Sequence, residues 1–444
     1  MRARARPYAR TAVATEIVER HKGVLSGRHA LWLNGDFLRL WAGETISLFG
    51  TQVTVLALPL VAVITLRASA AQVGLLNACR YAPFVVVTLF AGVVVDRVRR
   101  RPTMIVVNLG RGALIALIPL TALLGLLRIE YLYLVAFAVG ILTVFFDLAY
   151  QAYLPSIVTA EQLTGANGRL VASASAAELG GPGIGGLLVQ ALTAPYALLA
   201  DALSFLASTS SLLRIEHREP EPHGERRPPI GSSIRDGFRF TFSNPYLRAI
   251  AGEAATFNLF EQTILTVFVV YAIRRLHFSP GLLGLVLSLG GGGALLGALI
   301  AGRIDRRFGL GRTIVGSMVI ACLTPLLIAA PTGRGAATLI ALGAIFFVWG
   351  CAVAVSNVLV VTLRQTVTPS SMLGRMNASY RFFTYGAIPL GALLGGGVAG
   401  VIGLRATLFA GACGLVLALF WILLSPVAYL AALPAGPDES PARS

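Results

Sequence analysis

The chain is poor in charge, in acid above all, and in cysteine. Of its 444 residues 13% are Asp, Glu, Lys or Arg while 56% are hydrophobic, more apolar surface than a water-soluble chain of this length can bury. The surplus has to face lipid. Cys79, Cys322, Cys351 and Cys413 fall inside apolar runs without C-x-x-C spacing, and the five histidines form no cluster. Neither a disulfide framework nor a metal site is expected. A phosphate-binding G-x-x-x-x-G-K-S/T loop is missing, so the expected energy source is an ion gradient rather than ATP. No nucleophile and base pair suggests an enzyme, and nothing asks for a cofactor.

What the chain has instead is twelve apolar runs near the ~20 residues that span a ~30 Å hydrocarbon core. They cover 39–66, 72–95, 103–126, 131–154, 170–192 and 196–213, then 246–273, 281–301, 313–331, 336–362, 376–401 and 405–430. The expected protein is an all-α integral membrane chain with an N-terminal tail (1–38), a six-helix bundle (39–213), a linker (214–245), a second six-helix bundle (246–430) and a C-terminal tail (431–444). The N-terminal tail is basic and lacks the apolar core of a cleavable signal peptide. Placing both termini in the cytoplasm puts 27 of the 36 basic residues inside, 6 outside and 3 within helices, as the positive-inside rule requires. The net charge of +16 then belongs to loops beside anionic lipid headgroups, and no nucleic-acid partner is expected.

The two bundles repeat each other. Leu38–Glu44 and Leu247–Glu253 share L-R-x-x-A-G-E at an offset of 209, and Ala91-Gly92 meets Ala301-Gly302 at 210. Gly168-Arg169 meets Gly374-Arg375 at 206, with Gly180 and Gly185 falling on Gly386 and Gly391. Collinear matches point to duplication. An even number of helices per unit makes the repeats parallel, with the substrate path between them. Pro220, Pro222, Pro228 and Pro229 mark a flexible linker on the cytoplasmic side.

Between the second and third runs stands Gly92-Val93-Val94-Val95-Asp96-Arg97-Val98-Arg99-Arg100-Arg101, and the fifth run holds Gly181-Pro182-Gly183-Ile184-Gly185-Gly186. In these stretches the chain resembles the major facilitator superfamily, in its macrolide-efflux and enterobactin-exporter branch. The first is similar to that family's G-x-x-x-D-R-x-G-R-R loop, with Arg99 in place of its second glycine. The resemblance implies a conformational gate formed by Gly92, Asp96 and Arg97, with Asp96 resting near Gly374 and Arg375 at the start of the eleventh helix in the outward-open state. A second copy, Gly302 to Gly309, places Asp305 one position early and Arg306 where the acid belongs. The fifth-run stretch is similar to the antiporter motif G-P-x-x-G-G, carried by Gly181, Pro182, Gly185 and Gly186, which implies export. Proline removes an amide donor and glycines let backbones approach, so this helix is expected to bend and pack tightly. The arginine that many drug antiporters carry in the fourth helix is absent here.

Ionisable groups in hydrocarbon are costly and face cavities or partners, which makes each a functional candidate. Glu44, Asp147, Glu178, Glu253, Glu261 and Arg80 are the expected proton-coupling or substrate residues, with Glu253 as the repeat counterpart of Glu44. A carboxylate that takes a proton on one side and releases it on the other supplies what an antiporter requires. Arg111, Asp201 and Arg381 also fall in apolar runs, Arg80 and Arg111 as possible ion-pair partners. The expected protein is a monomeric secondary exporter in a bacterial plasma membrane that moves a bulky, partly apolar small molecule against a proton gradient. An importer of the same fold and a transport-silent sensor or scaffold are the alternatives.

Overall fold

The structure, a computed structural model, describes residues 31–95, 97–217, 219, 230–333 and 335–434. They are almost entirely helical, with no strand among the described residues. The first half holds α1 (Gly35–Leu60, continued by a π turn over Val61–Thr65), α2 (Ala70–Val86), α3 (Thr88–Val95), α4 (Arg100–Leu123), α5 (Ile129–Ile157), α6 (Ala160–Leu192) and α7 (Ala194–Leu213). After α8 (Ile230–Ser243), the second half holds α9 (Pro245–Arg274), α10 (Pro280–Phe308), α11 (Leu310–Leu323, continued by a 3₁₀ turn over Thr324–Ala329), α12 (Ala336–Thr366), α13 (Leu373–Ile402) and α14 (Leu404–Leu423).

Among the described residues, ten of these runs are long and apolar enough to cross a membrane. The expected second span is broken at Val87, four residues past Pro83, whose ring denies the Cys79 carbonyl its helical donor. The fifth, α6, is 33 residues long, but Ala, Gly and Ser keep its hydropathy low. The last run stops earlier than its apolar pattern. After Leu423 the Ser425 hydroxyl accepts the Val427 amide at 3.2 Å, and Pro426 opens a 3₁₀ turn instead of prolonging α14.

Both halves share one structural register. Left-handed backbone at Arg67 (φ 52) recurs at His277 (φ 56), and at Thr193 (φ 74) recurs at Gly403 (φ 85). The Leu66 and Ala68 amides reach back to the Val61 and Ala62 carbonyls, as those of Leu276 and Phe278 do to Tyr271 and Ala272. Asn34 and Asn244 cap α1 and α9, Ser69 and Ser279 cap α2 and α10, and the Thr103 and Thr313 hydroxyls donate to the carbonyls of Arg99 and Gly309. Each pair lies 210 residues apart. The L-R-x-x-A-G-E match at 209 is therefore one residue out of register. Glu44 corresponds to Ala254 and Glu253 to Gly43, a difference of about 100° around the helix.

We use proximal for the end of the bundle where α1 begins and α14 finishes, and distal for the other. At the proximal end α8 lies along α13, a helix that its proline-rich surroundings conceal in the sequence. Its Phe238 meets Phe382 edge-on at 5.9 Å and its Phe242 meets Phe383 at 5.4 Å. Gly237 fits against the Arg375 carbonyl, where a Cβ would come within 2.5 Å, and Asp236 pairs with Arg375 at 3.6 Å. Edge-on aromatic pairs contribute ~0.5–1.5 kcal/mol each beyond the area they bury. Replacing Phe238 and Phe242 together with Ala is expected to release α8 and to speed proteolysis of the linker several-fold, as read on gels of the purified protein. An unchanged cleavage rate would contradict this docking.

Candidate functional site

Two crossings between the halves close the distal end. In the first, α6 meets α10: a Cβ on Gly186 would strike the Pro280 carbonyl oxygen, and one on Gly284 the Pro182 carbonyl oxygen. In the second, α2 meets α13: a Cβ on Gly396 would lie 2.7 Å from the Ala70 carbonyl oxygen, and one on Gly74 would lie 2.5 Å from that of Ala392. Gly186 and Gly396, Gly284 and Gly74, and Pro182 and Ala392 are all 210 apart, so one crossing is the other turned by the symmetry of the repeat. Only glycine permits backbones this close. Further bonds bridge the halves here, from Asn77 Nδ2 to Thr266 Oγ1 at 3.1 Å, from the Gly281 amide to Gln190 Oε1 at 3.2 Å and from Arg274 to the Ala68 carbonyl at 2.5 Å.

The glycine and proline motif of α6 serves two faces. Gly181 and Gly185 press on Gln52 and Val53 of α1, inside their own half, while Pro182 and Gly186 press on α10. In the second half Gly391 and Gly395 press on Leu259 and Thr263 of α9 in the same way. In the first half Pro182 leaves the Glu178 carbonyl without its helical donor and the Gly183 amide donates to Ser288 Oγ at 2.9 Å, whereas α13 carries its proline three residues earlier in register, at Pro389.

The halves stay in contact as far as Gly291, whose Cβ would lie 2.8 Å from the Leu179 Cα, and Gly386, whose Cβ position is 3.9 Å from the nearest Val85 atom, with the rings of Phe84 and Tyr385 stacked at 6.5 Å. Proximal of these contacts the halves part, and α3 leans on α5 instead of α13. Among the described residues, no hydrogen bond or ion pair joins the predicted gate residues to one another. Arg97 and Arg306 are exposed, Gly92 has open space around it, and Gly302 has the Arg306 guanidinium 3.7 Å from its Cβ position. Asp305 is half-buried, and Arg375 pairs with Asp236 of α8. Asp96 lies outside the described residues.

Each half holds a polar group, and the two are of opposite design. In the first half Arg111 of α4, 4% exposed, is held between the faces of Phe146 and Phe205, 4.2 and 4.4 Å from their centroids. It donates to Asn108 Oδ1, whose Nδ2 donates to Ser208 at 3.0 Å. Its charge acts on Glu44, Asp147 and Asp201. Asp201 is fixed by hydroxyl donors, Thr54 at 2.5 Å and Ser204 at 3.1 Å. Glu44 differs, since its buried Oε2 has no hydrogen-bond partner among the described residues, and neither does the buried Tyr150 hydroxyl nearby. Arg381 of α13 also acts on Asp147 from across the interface, and Arg80, over the Tyr81 ring at 5.3 Å, acts on Asp201. Glu178 is exposed on α6.

The network around Asp201 is structural as well as electrostatic. Asp201→Ala leaves the Thr54 hydroxyl buried without an acceptor, which costs about 1–3 kcal/mol. A lowered melting temperature of the detergent-purified protein is the expected result, and an unchanged one would show that Thr54 finds another acceptor.

In the second half a cavity of about 300 Å³ opens between α9, α11, α12 and α13. Glu253, 6% exposed, and Glu261 both line it, with Asn258, Tyr380 and Tyr385. The sequence points to the acids but not to the company they keep. Arg111 stands out in its apolar run as a buried cation, yet its two aromatic faces and its three acids are contributed by other helices.

The family model for transmembrane secretion effectors matches residues 28–440. The multidrug efflux pump Tap of Mycolicibacterium fortuitum is 28% identical over 378 residues, covering 81% of this chain and 88% of Tap. The enterobactin exporter EntS of Citrobacter koseri is 26% identical over 382 residues, covering 83% and 87%. The crystal structure of the nucleoside transporter NupG shares the fold with a TM-score of 0.69 at 14% identity, covering 88% of this chain and 98% of NupG.

Proposed function

Because the chain belongs to the transmembrane secretion effector family of the major facilitator superfamily, we propose that it exports a small molecule by alternating access in exchange for protons. The carrying observation is the closed distal seal above a path that parts at the proximal end and is flanked by carboxylates. The excess of basic residues at the proximal end supports a cytoplasmic side there, and on this reading the protein faces inward, ready to load substrate from inside. One chain supplies both walls of the path, so a monomer suffices.

In this cycle the substrate enters from the cytoplasm and displaces protons, the two glycine crossings part, and the substrate leaves outward. Protons from outside then reload the acids and the seal re-forms. Glu44 is the favoured proton carrier, since its unpartnered Oε2 can accept a proton without breaking a bond. Asp147 is the partner that feels both Arg111 and Arg381, and Arg80 and Glu178 tune the path. Gly92, Asp96, Arg97, Gly302, Asp305 and Arg306 gate the cytoplasmic side, and Arg375 leaves Asp236 of α8 as that side closes. Inverted membrane vesicles test this directly: adding a macrolide, a catecholate siderophore or a lipophilic dye is expected to release protons from the lumen as the compound is taken up. Uptake that ignores the proton gradient would overturn the coupling, and transport only in right-side-out vesicles would overturn the direction.

A further inference from the structure

We propose that the cavity between α9, α11, α12 and α13 binds a substituted ammonium or other organic cation, the charged part of the exported molecule. The proposal rests on the exporter reading above and narrows its substrate. Glu253 is 94% buried, its exposure being 6%, and no hydrogen bond or ion pair joins it to any described residue. Glu261 lines the same space two turns further along α9 and is equally unpartnered among the described residues. A buried carboxylate without a counter-charge is costly, so it holds a proton until a cation arrives from elsewhere to replace it.

The first half solves the same problem internally, with Arg111. In the shared register of 210, Arg111 corresponds to Ala321, which is fully buried in the core of the second half. The second half therefore holds buried acids without the guanidinium that accompanies those of the first. Arg364 and Arg381 are near but occupied otherwise, over the rings of Tyr380 at 4.0 Å and Tyr385 at 5.4 Å. Neither pairs with Glu253 or Glu261.

The remaining lining suits an organic cation better than a bare metal ion. Phe257, Tyr380 and Tyr385 contribute aromatic rings; those of the two tyrosines already carry guanidiniums, and the face of Phe257 is the one that suits an alkylammonium group. Asn258 spends its Nδ2 on the Thr384 carbonyl at 3.0 Å, which leaves its oxygen as an acceptor. The volume of about 300 Å³ is within the range of small-molecule sites, and Asn357 and Tyr385, both exposed, form its rim. An anionic group would meet two carboxylates, and none of the lining residues is basic.

The test is equilibrium binding to the purified full-length protein in nanodiscs, with tetraphenylphosphonium as a permanently charged probe and triphenylphosphine oxide as its uncharged counterpart. Wild type is expected to bind the phosphonium saturably and the oxide more weakly. Glu253→Gln with Glu261→Gln is expected to weaken phosphonium binding by about 10-fold or more while leaving the oxide unaffected, because a charged contact contributes ~1.5–3 kcal/mol. Ala321→Arg, which installs the missing guanidinium, is expected to act in the same direction. No saturable phosphonium binding by wild type, or equal binding by the correctly melting double variant, would overturn the proposal. Binding is read without a gradient, so this outcome is independent of the vesicle result that decides the direction of transport.

Discussion

Gly186→Val and Gly284→Val are each expected to cut export by about 10-fold or more while leaving the protein folded. The Cβ added at either position falls on a backbone carbonyl of the opposite half, and backbone cannot swing aside as a flexible side chain can. Forcing extra carbon into such a contact costs ~1–3 kcal/mol, and here that cost is borne by one conformation alone. A state in which the distal seal is open does not feel it. The population therefore moves away from the state in which the distal seal is closed, and a transporter held on one side of its cycle turns over slowly. Gly293→Val is the contrast. Its Cβ would strike the Phe347 carbonyl of α12, inside a single half, so the expected result is lost stability in every state. Vesicle uptake together with melting temperature separates the two outcomes, and a Gly186→Val protein that transports like wild type would remove the seal from the mechanism.

Glu44→Gln is expected to uncouple the protein. The charge of Arg111 acts on Glu44, Asp147 and Asp201, Arg381 also acts on Asp147 and Arg80 on Asp201, and Asp201 has its hydroxyl donors. Glu44 alone of the three has a buried oxygen with no donor, so it is where a proton comes and goes without rebuilding a network. The amide keeps the size of the side chain and removes the site for the proton. Substrate-driven proton release, followed with a pH dye in proteoliposomes, is expected to fall by about an order of magnitude, because a transfer step is lost rather than slowed. Exchange of labelled for unlabelled substrate, which needs no proton, is expected to persist, and Glu44→Asp to restore part of the coupling. Full proton release by Glu44→Gln would assign the role to Asp147 or to the second half.

The architecture was legible in the sequence because lipid imposes one rule, the ~20-residue apolar run, and most of the chain obeys it. The exceptions are instructive. Nothing marked α8, since its charged and aromatic faces become meaningful only when Phe382 and Phe383 lie beside it. The duplication was legible too, but its register was not. Two glutamates one residue out of step in α1 and α9 produced a persuasive match at 209, whereas caps and left-handed turns, which depend on backbone geometry, fix 210. The correction matters, since it separates Glu44, beside a guanidinium, from Glu253, beside none. The glycine motif of the fifth run was visible as spacing. Its division between α1 and α10, and its symmetric echo at Gly391, Gly395 and Gly396, required the packed helices.

The central claim is that the two glycine crossings are the external seal of an alternating-access exporter. It is tested most directly by spin labels at Leu126 and Thr332, exposed positions in distal turns of the two halves, in a background with the native cysteines replaced. Pulsed dipolar spectroscopy in nanodiscs is expected to give a short, narrow distance distribution for this parent protein and a longer one for Gly186→Val and Gly284→Val. Identical distributions in the parent and in variants that have lost transport would contradict the account.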